Sequence, residues 1–310
     1  MFAMAPYKGT VLIAGATGFI GTHLVRFLPH VRVLTRDANA ARSTLDKYGL
    51  VASEGIAQWA PDNSSLDASV LDGVDAVINL AGVSVADGRW TKARKRSILQ
   101  SRLDATNTLI SALSSTQHRV QSLISASAVG YYGSCGNQLL TEDTEPGTDF
   151  LADVCQKWED AAHPDIADTV RVVTPRIGIV LGPDGGALPK MAFPFKLFVG
   201  GKLGNGKHWM PWIHIDDLVG LFNHLLASSI SGPVNATAPN PVTNADFTRQ
   251  LAGALKRPAL FPVPRFVLRL LVGEFTDALF ASQRTDATRA VSDGYVFGFP
   301  DLKSALHDLY

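Results

Sequence analysis

The sequence predicts an α/β fold: an open, doubly wound parallel sheet covered by helices on both faces, with a smaller C-terminal lobe. Three observations carry that expectation. Short β-type runs alternate with helical stretches over the first 180 or so residues. The runs are near-continuously apolar, as strands buried on both faces must be. A glycine-rich turn joins the first run to the first helix, and no eightfold repeat of the kind a closed barrel would carry is visible.

The elements follow in order. Thr10–Ala14 (TVLIA) is the first strand, and a helix runs from the glycine turn to about Leu28. Val31–Thr35 is the second strand, Asn39–Tyr48 has helical composition, and a third short strand falls near Ile56–Trp59. Asp75–Leu80 is the fourth strand, punctuated by Gly73 and Gly82. A long helix fits Thr91 to Leu113, because Ile98, Leu99, Leu103, Thr106, Leu109, Ile110 and Leu113 recur at helical spacing. Gln121–Ala126 is a fifth strand, Phe150–Ala162 a helix and Val170–Val180 a sixth strand. Gly and Pro then crowd Leu181–Gly206. Trp212–Leu218 reads as a strand ending in a helix N-cap, with Asp216 or Asp217 accepting the first free N–H groups. From Pro241 on the chain reads as helices with short connectors. The expected division is a cofactor-binding domain of residues 1–180 and 211–240, and a substrate-side lobe of residues 181–210 and 241–310.

Charge and composition exclude several function classes. Twenty-eight basic and 28 acidic residues give no net charge, so a nucleic-acid partner is not expected. The basic knot Lys92–Arg96 reads as a solvated helix face. No apolar run reaches the roughly 18 residues that span a bilayer, so no membrane partner is expected. The most lipid-like stretch, Phe261–Val272, is broken by Pro262, Pro264, Arg265 and Arg269. From Pro264 it reads as an amphipathic helix packed on protein. The N-terminal stretch before the first strand is too short for a leader. Cys135 and Cys155 offer neither a disulfide framework nor metal-ligand spacing, so a reducing compartment such as the cytoplasm is the default.

The segment Gly15-Ala-Thr17-Gly18-Phe19-Ile20-Gly21 lies between a strand and a helix, the context in which G-x-x-G-x-x-G is informative. Gly15 permits the tight turn. Gly18 lets the backbone approach a pyrophosphate at the helix N-terminus, where free N–H groups and the helix dipole favour anions. Gly21 allows close helix–strand packing. This is a Rossmann-type dinucleotide site. The second strand ends at Thr35, and Arg36 follows about 21 residues after Gly15. An acid there would bind a ribose 2′-OH and mark NAD, whereas Arg36 suits the 2′-phosphate of NADP. Asp37, one residue on, is the competing reader, as a ribose ligand for NAD, or else serves the following turn.

With these residues in view, the chain resembles the short-chain dehydrogenase/reductase superfamily. The likeness rests on GATGFIG, on Asn79-Leu-Ala-Gly82 and on Arg176-Ile-Gly-Ile-Val-Leu-Gly-Pro183. Within it the chain is most similar to the "epimerase family protein" branch, related to sugar-nucleotide epimerases and ending in a C-terminal domain of unknown function. Arg89-Trp90, Ser101-Arg102, Tyr131-Tyr-Gly133, Lys157-Trp-Glu159, Gly185-Gly186, Pro194-Phe195, Trp212-Ile-His-Ile-Asp216 and Gln283-Arg284 carry that likeness in order. It implies that Thr35 and Arg36 meet the adenosine phosphate. Leu80, Ala81 and Gly82 would line the adenine-ribose side, and Arg102 would reach the cofactor groove. Arg176, Gly178 and Ile179 would flank the nicotinamide end. It also implies a small-molecule substrate; a homodimer is a further possibility.

The superfamily's chemistry uses Ser, Tyr and Lys: the Tyr as acid–base, the Lys to lower its pKa, the Ser to position a carbonyl. Ser127 matches the Ser. The Tyr-x-x-x-Lys motif is absent: with Glu159 as anchor, Leu151 falls at the Tyr position and Cys155 at the Lys position. Lys157 is turned about 200° away from Cys155. Tyr131 or Tyr132 could supply the acid, or could pack. Lys190 could bind an anionic substrate, or lie in solvent. The third reading is a protein that binds NADP without turning it over. His214 and Cys155 read as structural, Glu142, Asp143 and Glu145 as a solvated acidic loop, and Trp209 and Trp212 as pocket wall or core.

Overall fold

The computed structural model describes residues 5–163 and 169–310; the first four residues of the N-terminal stretch read above as too short for a leader lie outside them. Seven parallel strands form the main sheet: β1 (Val11–Ala14), β2 (Val31–Thr35), β3 (Ile56–Ala60), β4 (Ala76–Asn79), β5 (Ser122–Ser125), β6 (Arg171–Ile177) and β7 (Gly232–Ala236). Their spatial order is 3-2-1-4-5-6-7, with the direction of winding reversed at β1. Two short strands extend it: Ser65–Leu66 runs antiparallel to β3, and Ser127–Ala128 lies beside β6.

Side-chain alternation explains why the sheet is covered on both faces. Val11, Ile13, Val33, Ile78, Ile124 and Val173 enter one apolar layer. Their neighbours Leu12, Ala14, Leu34, Val77, Leu123 and Val172 enter the other. Helices α1 (Phe19–Phe27), α2 (Ala38–Lys47) and α6 (Ile215–Ala227) supply the first layer through Leu24, Leu45, Leu221 and Phe222. Helix α3 (Lys92–Ser115), capped by Thr91, supplies the second through Leu109, Ile110 and Leu113. Each such fully buried Leu, Ile or Val contributes about 1.5–3 kcal/mol.

Three expectations are corrected. The sixth strand does not run unbroken to Val180. It leaves the sheet at Gly178, where a Cβ would sit 2.8 Å from the Pro211 carbonyl oxygen, and Ile179–Leu181 pairs instead with Trp212–His214. The cap of α6 is neither Asp216 nor Asp217 but His214, whose Nδ1 accepts from the Asp216 N–H at 3.1 Å. Asp217 is buried and turns inward to accept from the N–H groups of Gly298 (2.7 Å) and Phe299 (2.9 Å). Its burial raises its pKa against the lowering effect of those bonds.

The lobe has its own core, built by Leu188, Phe195, Met210, Trp212, Phe247, Leu251, Leu302 and Leu306. Helices α5 (Leu188–Lys196) and α7 (Asn244–Leu255) frame it. The third correction concerns α8 (Arg265–Val272), which follows. It packs only in part: none of its residues is fully buried, Val267, Leu268 and Val272 are half-buried and Arg265 and Arg269 pair with Asp277, while Phe266, Leu270 and Leu271 are exposed. Beyond α9 (Phe275–Leu279), Ala287, Ala290, Tyr295 and Phe297 return to the first apolar layer beneath the sheet. Helices α10 (Thr288–Ser292) and α11 (Leu302–Leu309) end the chain. Among the described residues no helix is long and apolar enough to cross a membrane.

Candidate functional site

The glycine loop has the shape its sequence predicts. Gly15 sits at φ +85°, and a Cβ there would lie 2.8 Å from the Leu80 carbonyl carbon. A Cβ on Gly21 would collide with the Gly15 carbonyl oxygen. Gly18 is the N-cap of α1, in extended conformation and with no side chain to cap it. Its own N–H turns back onto the Gly15 carbonyl at 3.1 Å. The amides of Phe19, Ile20 and Gly21 therefore point past the helix end with no capping side chain, beside Thr17: a cradle for an anion.

At the end of β2 Thr35 is half-buried and Arg36 is exposed. Asp37 caps α2, its carboxylate accepting from the N–H groups of Asn39 (2.9 Å) and Ala40 (3.0 Å). The acid next to Arg36 is thus engaged in the turn, while the guanidinium is open to solvent. Leu80 and Ala81 follow β4, and a Cβ on Gly82 would come within 3.2 Å of the Arg102 side chain. Arg102 donates to the carbonyls of Val83 (3.0 Å) and Ile98 (2.9 Å) and stacks on Trp158 at 4.8 Å. Burial lowers its pKa from the usual arginine value.

Between the carboxyl ends of the strands and the lobe lies a cavity of about 1500 Å³. Phe19, Arg102, Gly178, Ile179 and Lys190 line it, as do Val129 and Gly130. Leu151 and Cys155, which occupy the Tyr and Lys positions of the superfamily motif, also form its wall. Burial pushes the Cys155 thiol up to about 12, so it holds no thiolate at neutral pH. Lys157 is exposed and paired with Asp153 at 2.8 Å. Lys190 stands at the rim, paired with Asp87 at 3.2 Å.

Ser127, Tyr132 and Arg176 do not face this cavity. They belong to a buried polar network. Arg176 forms a two-pronged ion pair with Glu159 on α4 (Phe150–Ala162), Nε to Oε1 at 2.9 Å and Nη2 to Oε2 at 2.8 Å. Its Nη1 donates to the Tyr132 hydroxyl (3.0 Å) and to the Glu142 carbonyl (2.9 Å). Burial works against its charge, but Glu159 holds its pKa above the usual arginine value. The Ser127 hydroxyl donates to Glu159 Oε1 at 2.5 Å, and the Tyr132 hydroxyl to Asn235 Oδ1 at 2.7 Å. Burial pushes the Tyr132 phenol up to about 12. Tyr131 is half-buried with the Arg176 guanidinium 3.5 Å above its ring, and its pKa is raised, burial being the largest cause. Ser127 and Tyr132 are therefore held in internal hydrogen bonds, and Arg176 is a strut between strand and helix where sequence likeness placed it beside the nicotinamide. Glu142 also departs from the solvated-loop expectation: its carboxylate accepts from the Asn235 N–H at 2.7 Å.

Sequence reasoning missed His208. It is buried on the cavity wall, its Nε2 has no hydrogen-bond partner, and burial lowers its pKa. A lone His in a Gly-rich loop carried no motif to mark it. Trp209, beside it, is also on the wall, whereas Trp212 belongs to the lobe core.

Residues 11–237 match the NAD dependent epimerase/dehydratase family, and residues 263–309 match a domain of unknown function, DUF1731. The chain belongs to the NAD dependent epimerase/dehydratase family. Its similar relatives in that family include the chloroplastic epimerase family protein SDR39U1 homolog of Arabidopsis thaliana, 39% identical over 96% of this chain and 85% of that one. The mouse epimerase family protein SDR39U1 is 37% identical over 96% and 99%. Among solved structures, human SDR39U1 (isoform 2) with NADPH superposes with a TM-score of 0.86 at 32% identity, over 97% of this chain and 98% of that one. The Bacillus cereus UDP-glucuronic acid 4-epimerase has the same fold at 17% identity (TM-score 0.75; 97% and 98% covered).

Proposed function

We propose that this member of the epimerase/dehydratase family is an NADP(H)-dependent oxidoreductase whose substrate occupies the cavity beneath the lobe, and that it works without the Tyr–Lys pair. The glycine loop and the α1 N-terminus hold the pyrophosphate. Arg36 reads the 2′-phosphate, with Asp37 withdrawn into the α2 cap. NADPH bound to the human relative supports the choice of cofactor. When bound, the nicotinamide supplies or takes up a hydride. Gly178 and Ile179 wall the place where it would lie.

The observation that carries the reading is the cavity itself. It joins Phe19 and the ends of the strands to the lobe, and at about 1500 Å³ it exceeds the roughly 300–1,000 Å³ of an ordinary ligand pocket. The test is single-turnover oxidation of bound NADPH across a panel of carbonyl compounds. Carbonyl-dependent loss of reduced-nicotinamide absorbance is expected.

One observation favours a second reading, a protein that binds NADP(H) without turnover. The Ser127 and Tyr132 hydroxyls are tied into the buried network, and Leu151 and Cys155 offer no proton at neutral pH. NADPH binding with no oxidation by any carbonyl would decide for it.

A further inference from the structure

The lobe turns an apolar, basic face to solvent. Nine of the fifteen large apolar side chains exposed among the described residues come from two short segments. Phe193, Leu197, Phe198 and Val199, at the end of α5 and just beyond it, are 55–61% exposed. Leu260, Phe261, Phe266, Leu270 and Leu271, from the connector after α7 and from α8, are 63–71% exposed. Apolar surface gathered in this way marks an interaction site, whereas single exposed side chains do not.

The two segments are joined. The Val263 N–H donates to the Lys202 carbonyl at 2.8 Å, the Gly204 N–H donates to the Val263 carbonyl at 2.9 Å, and the Arg257 guanidinium stacks on the Phe198 ring at 4.9 Å. Val199 and Leu271 border the same cavity. Within α8, Arg265 and Arg269 both pair with Asp277, which ties the charged side of the helix to α9. At about 100° per residue, Phe266, Leu270, Val267 and Leu271 follow one another around the arc away from those arginines. An amphipathic helix on a protein surface ordinarily lays such an arc on the core. Here the arginines are tied down, and most of the arc is left to solvent. Phe198, at φ +62°, holds a left-handed backbone that bulky residues rarely adopt, and its ring is exposed rather than buried.

Charge decides what covers this face. The whole chain has no net charge, yet residues 185–215 and 247–273 contain nine lysines and arginines and no acid. Lys190, Arg249, Arg265 and Arg269 are matched by Asp87, Asp246 and Asp277. Lys196, Lys202, Lys256 and Arg257 stand among the apolar side chains, exposed and with no ion pair among the described residues. A second copy brought face to face would set like charges against one another. An anionic bilayer surface meets both features: its headgroups take the cations, and its acyl boundary takes the apolar side chains. The expectation of no membrane partner rested on the lack of a spanning run, which association within the interface does not need.

We propose that this face of the lobe docks the protein on an anionic lipid surface. Helix α8 lies in the interface, Phe198, Phe261, Phe266 and Leu270 enter the acyl boundary, and Lys196, Lys202, Lys256 and Arg257 meet the headgroups. Docking of this kind is independent of what the cavity binds. Because Val199 and Leu271 also line the cavity, its edge then lies against the bilayer.

The test is flotation of the full chain with vesicles of phosphatidylcholine alone and of phosphatidylcholine containing about 30% phosphatidylserine. The mixed vesicles should carry the protein, and added salt should weaken the binding. Each change among Lys196→Gln, Lys202→Gln and Lys256→Gln should weaken it about fivefold. The pair Phe266→Asp/Leu270→Asp should weaken it by at least about 10-fold, the lower end of what burying one such side chain contributes. Both side chains are exposed and neither lines the cavity, so NADPH affinity and the thermal midpoint should be unchanged, which separates lost docking from lost folding. Phe198→Trp should gain, over the parent protein, quenching by acyl-brominated phosphatidylcholine in the mixed vesicles. No binding to the mixed vesicles, binding that survives the aspartate pair, binding unchanged by the three glutamines together, or no added quenching would each overturn the proposal. So would a lipid-free dimer, seen by sedimentation velocity, that the aspartate pair disperses, because a second copy would then occupy the face.

Discussion

Replacing Arg176 by Met isolates the role of the buried network. The substitution keeps an unbranched stem but removes four hydrogen bonds: two to Glu159, one to the Tyr132 hydroxyl and one to the Glu142 carbonyl. Glu159, 8% exposed, then keeps the Ser127 hydroxyl as its donor. Breaking a buried pair by removing one partner costs about 3–5 kcal/mol, because the remaining charge is buried without compensation. That is a large part of the roughly 5–15 kcal/mol by which domains are stable. Denaturant midpoints from far-ultraviolet circular dichroism and tryptophan fluorescence measure it. Arg176→Met/Glu159→Leu should lose less than the two single variants summed, by on the order of 0.5–3 kcal/mol. A single-variant loss below about 1 kcal/mol would refute the reasoning.

Three further outcomes are expected. Arg36→Ala should weaken NADPH binding about 10- to 150-fold and hardly change NADH, because a charge-assisted bond of about 1.5–3 kcal/mol to the 2′-phosphate is lost; calorimetric titration of both cofactors reads it, and equal losses would reassign Arg36 to the fold. Ser127→Ala and Tyr132→Phe should each lower stability by about 1–3 kcal/mol while the folded protein keeps its turnover, since the hydroxyls serve Glu159 and Asn235; loss of turnover without loss of stability would restore them to the chemistry. Cys155, with its thiol pushed up to about 12, should resist iodoacetamide at pH 8 by roughly three orders of magnitude relative to a free cysteine, followed by mass spectrometry; rapid labelling would mean an exposed or activated thiolate.

What the sequence made legible was local. The glycine loop, the alternating strands and the α3 stripe depend on spacing within a few residues, and spacing is printed in the chain. Asp37 as a cap was readable for the same reason: its carboxylate reaches only two and three residues onward. What escaped depends on long-range partners. Nothing near Ser127 announces Glu159, 32 residues on, and nothing near Tyr132 announces Asn235, 103 residues on. His214 displaced two aspartates as the α6 cap because a loop some 80 residues later claims Asp217. The α8 pattern has an apolar face, but pattern alone does not say whether that face meets protein or open space.

The α4 helix shows how the family's cofactor half can persist while its acid–base helix is rebuilt. Leu151, Cys155 and Glu159 are spaced four apart and so share one face. The first two meet the cavity; the third meets Arg176. A lysine at 155 would be buried and close to Arg102, whose charge already acts on that position, so desolvation and repulsion would oppose it together. An arginine on α3 and a carboxylate deeper on α4 thus provide charge around this face from outside the motif. The consequence for chemistry is specific: on this face α4 offers the cavity Leu151 and a neutral Cys155 thiol in place of an acid–base pair.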